Sequence, residues 1–164
     1  MPEIRPATAA DAEAFAQVFV DCWQVSYAAT MPAGLVERMT SERALALWQG
    51  ALRSEGDSYL VATSADGRGD VVGFVGFRMA DTDAGYVSSL YVSPFAQGGG
   101  FGRLLLTAAE DGLRGLGAAT ARLWVFEQNE PSRMFYERLG WRLDGTRETL
   151  AEWGEPQVGM LKQL

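Results

Sequence analysis

Tyr86-Val87-Ser88-Ser89-Leu90-Tyr91-Val92, then Gln97-Gly98-Gly99-Gly100-Phe101-Gly102-Arg103, then Leu104-Leu105-Leu106-Thr107-Ala108-Ala109-Glu110: this stretch decides the fold. The first run is apolar and β-prone, and the third has helical periodicity. Glycines join them. A strand that enters a helix through glycines leaves backbone N–H groups bare, with no Cβ to keep an oxyanion away. The helix N-terminus adds roughly half a positive charge. The junction therefore reads as a phosphate cradle between a strand and a helix.

Outward from it, the chain alternates helical and extended segments. Glu3–Arg5 reads as a short strand. Thr8 with Asp11 three residues on reads as an N-cap and its reciprocal partner. The helix behind it runs to about Ala28, with Phe15, Ala16, Phe19 and Trp23 on one face. Met31-Pro32-Ala33-Gly34 breaks it, and a second helical region covers Leu35–Leu52, recapped near Thr40-Ser41. Ser58–Thr63 and Val71–Met79 read as a hairpin across Gly67–Gly69, followed by a turn at Asp81–Gly85. After the glycine loop the helix ends at Gly115-Leu116-Gly117. Thr120–Phe126 is a compact strand, and Pro131 opens a helix that stops at Gly140. Trp141–Thr149 and Gln157–Leu161 read as closing strands, or equally as an edge where two copies of the chain meet. The strand–helix–strand unit over 86–126 calls for a parallel pair with a right-handed crossover. The expectation is one α/β (α+β) domain over 1–164: a mixed, mostly antiparallel central sheet with helices on both faces.

Composition narrows the chemistry. The chain has 164 residues and a net charge of −7. That balance argues against nucleic acid as partner. There is no histidine and one cysteine, Cys22. Ser–His and Cys–His nucleophilic sites, His-ligated metals and internal disulfides are thereby excluded, and no metal is expected. The first residues lack the apolar core of a signal peptide, and no apolar run is long enough for a bilayer. The expected setting is reduced and cytoplasmic. All but one of the 14 basic residues are arginine, a usage that fits GC-rich bacterial coding.

Three loop chemistries compete for the cradle. A P-loop ends in Gly-Lys-Ser/Thr; here Gly102-Arg103-Leu104 offers neither the lysine nor the hydroxyl. A dinucleotide fingerprint needs G-x-G-x-x-G, and Arg103 or Leu105 stands where its third glycine belongs. The remaining pattern, Q/R-x-x-G-x-G/A, is met by Gln97, Gly100 and Gly102. It resembles the acyl-CoA loop of the GNAT superfamily of N-acetyltransferases. Ser89–Gln97 resembles that family's entry to the loop. Leu123–Trp141 (LWVFEQNEPSRMFYERLGW) resembles its second motif: strand, asparagine, short helix with tyrosine, Gly-aromatic. Trp23, Tyr27 and Met31-Pro32 resemble its substrate-side helix.

The resemblance implies a GNAT-like sheet whose fourth strand carries a bulge and splays from its parallel neighbour. It implies acetyl-CoA as co-substrate, with the pyrophosphate on Gln97, Gly98, Gly99, Gly100, Phe101, Gly102 and Arg103. The pantetheine arm would lie along Leu90, Tyr91 and Val92, with Asn129 and Ser132 nearby. A backbone N–H near Leu90–Val92 would meet the thioester carbonyl. Tyr136 would protonate the departing thiolate, and Asn129 would bind the arm, cap the helix, or both. Glu127 is the nearest carboxylate for a base by sequence, or simply a solvated strand end. Trp23, Tyr27 and Trp48 either line the acceptor pocket or pack the core. The expected acceptor is a primary amine of a small molecule or peptide, with direct attack in a ternary complex. A non-catalytic acyl-CoA sensor and an O-acyl or longer-chain transferase are the rival readings.

Overall fold

The computed structural model describes residues 2–164. Strand β1 (Glu3–Pro6) leads through a single 3₁₀ turn (Ala9–Asp11) into α1 (Ala12–Asp21). The Asp11 carboxylate accepts the Thr8 N–H at 2.8 Å and two bonds from the Arg5 guanidinium, tying the helix start to β1. The helical run reaches Tyr27 with Ala28 as its cap, as expected, but it is not α-helical throughout. Its last turn widens into a π-helical segment, Cys22–Tyr27, a form that commonly marks a functional site. Short α2 (Ala33–Glu37) and α3 (Ser41–Arg53) follow. The Thr40 hydroxyl accepts from the Arg43 N–H, which is the recapping expected at Thr40-Ser41.

Strands β2 (Ser58–Thr63), β3 (Val71–Met79) and β4 (Ala84–Val92) form an antiparallel meander behind β1. Helix α4 (Phe101–Gly115) crosses to β5 (Thr120–Phe126), which is parallel to β4. Then come α5 (Glu130–Arg138), β6 (Arg142–Thr149) and β7 (Pro156–Gln163). The sheet order is β1-β2-β3-β4-β5-β7-β6, with β4–β5 the one parallel pair among the described residues. Residues 142–163 thus finish the sheet, with β7 inserted against β5 and β6 at the edge. This is the mixed sheet with helices on both faces that the sequence predicts.

Two cores hold the layers. On one face Leu105, Leu106, Ala109 and Leu113 of α4 are fully buried against Val75, Phe77, Val87, Ala121 and Leu123. On the other, Phe15 stacks on Phe74 with ring centroids 3.9 Å apart, and Phe19 and Trp48 close the cluster. Trp48 is a core residue, packed on Phe15, Phe74, Tyr59 and Tyr91.

One charge lies deep in the α4 face. Glu110, 4% exposed, accepts from Trp141 Nε1 at 3.1 Å and from Lys162 Nζ at 3.0 Å. Removing the cation strands a buried carboxylate, which costs far more than a surface pair is worth. Lys162→Ala is expected to lower unfolding free energy by about 3 kcal/mol in urea melts, and the double change with Glu110→Ala to cost less than the sum of the two single changes.

Candidate functional site

The site begins with a failure of pairing. β4 and β5 are hydrogen-bonded only over Ala84–Tyr86 and Thr120–Arg122. Beyond that point the two strands continue to Val92 and Phe126 without pairing. One cause is visible in the register with β3: Gly76 faces Ser89, but Phe77 faces Val87. Ser88 is therefore an extra residue, and such a bulge bends and twists its strand. Gly76 permits this, because a Cβ there would meet Ser88 Oγ and Ser89 Oγ, both at 2.7 Å.

The splay leaves a free backbone edge. Ser93 N–H donates to Val72 O on the β3 side. Strand alternation puts Tyr91 on that side too, so the N–H groups of Leu90 and Val92 point into the gap. Val92 O is occupied by Cys22 Sγ at 3.1 Å. Burial pushes the Cys22 thiol up to about 12, so it is an inert packing group beside the gap.

A cleft of about 330 Å³ fills the gap and draws on both cores. Its α4-side half is formed by Leu90, Leu123, Val125, Asn129, Ser132 and Tyr136. Its opposite half is aromatic: Trp23, Tyr27, Tyr91, Phe126 and Trp153. Trp23 lies parallel to Trp153 at 5.9 Å and edge-on to Tyr27 at 4.9 Å. Sequence reasoning missed Trp153, and with it Tyr86, Ser88, Ser89, Trp124, Glu148, Leu150 and Gln157, all of which also line the cleft. Four of these eight come from the β6–β7 hairpin, which only the insertion of β7 beside β5 brings to the site. A tryptophan-glycine turn between two strands, Trp153-Gly154, was the available signal.

Helix α5 presents the two polar residues that the sequence pairs. Asn129 is its N-cap: Oδ1 accepts the Ser132 N–H at 3.3 Å, and the residue is 5% exposed. Its amide nitrogen donates to no acceptor among the described residues, so capping leaves that donor free on the cleft wall. Tyr136 packs its ring on Phe135 and Trp141. Its hydroxyl makes no hydrogen bond with the described residues, and burial raises its ionisation well above the ordinary tyrosine value. It is a neutral donor with nothing of its own to bond.

The glycine loop lies beyond the end of β4, outside the enclosed part of the cleft. Gly98 and Gly100 have φ of +87° and +79°, and a Cβ on either would meet only open space. The backbone N–H groups of Gly98, Gly100, Phe101, Gly102 and Arg103 have no partner among the described residues. All five sit at or before the first turn of α4. Gln97 reaches across to Ser26 Oγ at 3.4 Å, fastening the loop to the π-helical segment. Arg103 is exposed and makes no ion pair among the described residues.

Glu127 is not brought to the cleft. Its carboxylate is held by Arg147 at 3.2 and 3.1 Å. That hydrogen-bonded pairing keeps its pKa below the usual glutamate value. A carboxylate so stabilised in its charged form, away from the cleft, is badly placed to take a proton.

A model of the GNAT acetyltransferase family matches residues 13–141. Over 93 residues the chain is 34% identical to a mycothiol acetyltransferase of Actinosynnema mirum, covering 55% of this chain and 31% of that protein. Over 77 residues it is 38% identical to the mycothiol acetyltransferase of Streptomyces coelicolor, 46% of this chain and 25% of that one. The matches thus span a quarter to a third of these relatives. Among solved structures, the PaiA N-acetyltransferase of Thermoplasma acidophilum in complex with coenzyme A superposes with a TM-score of 0.78 at 21% identity, covering 100% of this chain and 99% of that one. At that identity the likeness speaks for the fold.

Proposed function

The chain belongs to the GNAT acetyltransferase family, and from that premise we propose that it moves an acetyl group from acetyl-CoA to a primary amine by direct attack in a ternary complex. The observation that carries this reading is the splay: one cleft joins an α4-side half to an aromatic half through the gap between β4 and β5, with the glycine loop just beyond the end of β4. The N–H groups from Gly98 to Arg103 take the pyrophosphate at the start of α4. The pantetheine amides bond to the free edge of β4 as a further strand would, with the Asn129 amide alongside. The thioester then lies at the narrow part of the gap.

The amine enters from the aromatic half. Its lone pair attacks the thioester carbon, and the Leu90 N–H holds the oxyanion that forms. As the tetrahedral intermediate collapses the C–S bond breaks, and the Tyr136 hydroxyl gives its proton to the thiolate. The thiol leaves with that proton, and water carries the one the amine sheds to Tyr136, which restores its hydroxyl. A thiol of pKa about 8.5 is a fair leaving group, so the donor has to be well placed and not strongly acidic.

Thiol release from acetyl-CoA across a panel of primary amines tests the reading. Amine-dependent release with intersecting double-reciprocal plots is expected. Parallel plots would show an acyl-enzyme, and no release with any amine would leave only a binding domain.

A further inference from the structure

The acceptor half of the cleft has a charge pattern that selects among amines. We propose that it takes a cationic amine with no carboxylate beside the reacting nitrogen, such as a diamine or an arylalkylamine, and that Glu148 is the selecting residue. This rests on the transferase reading above.

Among the described residues, Glu148 is the one charged residue that lines the cleft, and no arginine or lysine does. It has no ion-pair partner among the described residues, whereas the nearby cations are already committed. Arg78 is bound to Asp57 at 3.0 Å and lies over the Tyr86 ring. Arg122 is bound to Asp144 at 2.8 Å and lies over the Trp124 ring. Arg147 is held by Glu127. One unpaired negative charge therefore faces the acceptor.

The bulge adds a neutral acceptor. Ser88 Oγ donates to Asp57 Oδ2 at 2.7 Å, and Asp57 also takes the Tyr59 hydroxyl and the Arg78 guanidinium. With its own proton committed, the Ser88 oxygen offers only lone pairs to the cleft. An ammonium N–H can use them, and a carboxylate cannot. Trp23, Tyr27 and Trp153 present ring faces and edges in the same half, surfaces that favour a cation. Arg38 and Arg43 lie elsewhere, in a second cavity of about 210 Å³ that shares Trp153 and also holds Glu152.

The test compares amines that differ only by a carboxylate: tyramine against tyrosine, and 1,4-diaminobutane against ornithine. Each is titrated into protein already loaded with coenzyme A, whose own binding is read first in the same cell. The decarboxylated member of each pair is expected to bind about tenfold more tightly. Glu148→Gln should narrow that preference, and Glu148→Arg should move it toward the carboxylated member. Glu148 is exposed and unpaired, so neither change threatens folding. Equal binding within each pair, binding of neither member, or a preference that Glu148→Arg leaves in place would overturn the proposal. Failure of coenzyme A to bind at the first step would instead overturn the transferase reading.

Discussion

Tyr136→Phe is expected to lower acetyl transfer by about 100-fold while acetyl-CoA affinity changes by less than about threefold. The separation follows from how the residue is held. The ring is fixed by Phe135 and Trp141, and phenylalanine keeps both contacts. The hydroxyl bonds to nothing among the described residues, so its loss costs the fold no hydrogen bond. What goes is a neutral proton donor on the cleft wall. A factor of about 100 corresponds to about 2.7 kcal/mol of transition-state stabilisation, the lower end for an acid because the thiolate leaves readily without full protonation. Steady-state rates with any amine that turns over, beside a calorimetric titration, check both halves. Unchanged turnover would remove Tyr136 from the chemistry, and a matching loss of affinity would make it a binding residue.

Gly100→Val is expected to weaken acetyl-CoA binding about 10- to 100-fold with only a small loss of stability. Gly100 sits at φ +79° just before α4, in the left-handed region where a β-branched residue is strained. Relieving the strain rotates the peptide units whose N–H groups form the cradle. Each charge-assisted hydrogen bond so lost is worth about 1.5–3 kcal/mol. Gly67→Val separates the two effects. Gly67 also has φ +79° and open space at its Cβ, but it lies in the β2–β3 turn. It should show similar strain in a thermal melt and unchanged acetyl-CoA affinity.

How much of this was legible in the sequence varies by residue. The strand–glycine–helix unit was legible because each part carries its own local signal: β-prone alternation, glycines at positive φ, and a periodic leucine face. The capping at Thr40 and the α5 start around Asn129-Glu130-Pro131 were legible for the same reason. The end of α1 was not. The Cys22–Tyr27 segment keeps helical residues and an apolar face, and nothing in its composition distinguishes a five-residue from a four-residue repeat. The acceptor wall was least legible. Ser88 reaches the cleft through a one-residue slip against β3, and Glu148 and Trp153 through the order in which β6 and β7 join the sheet. Both are facts of long-range pairing. Glu127 shows the converse: nearness in sequence to Asn129 and Tyr136 placed it close to the motif, but Arg147 on β6 holds it away from the cleft.

The most direct test of acetyl-CoA as the donor is its calorimetric titration into the unmodified protein, with Gly100→Val alongside. One molecule is expected to bind per chain, with affinity falling in the variant. No heat and no thermal stabilisation by acetyl-CoA, or binding that Gly100→Val leaves intact, would contradict it.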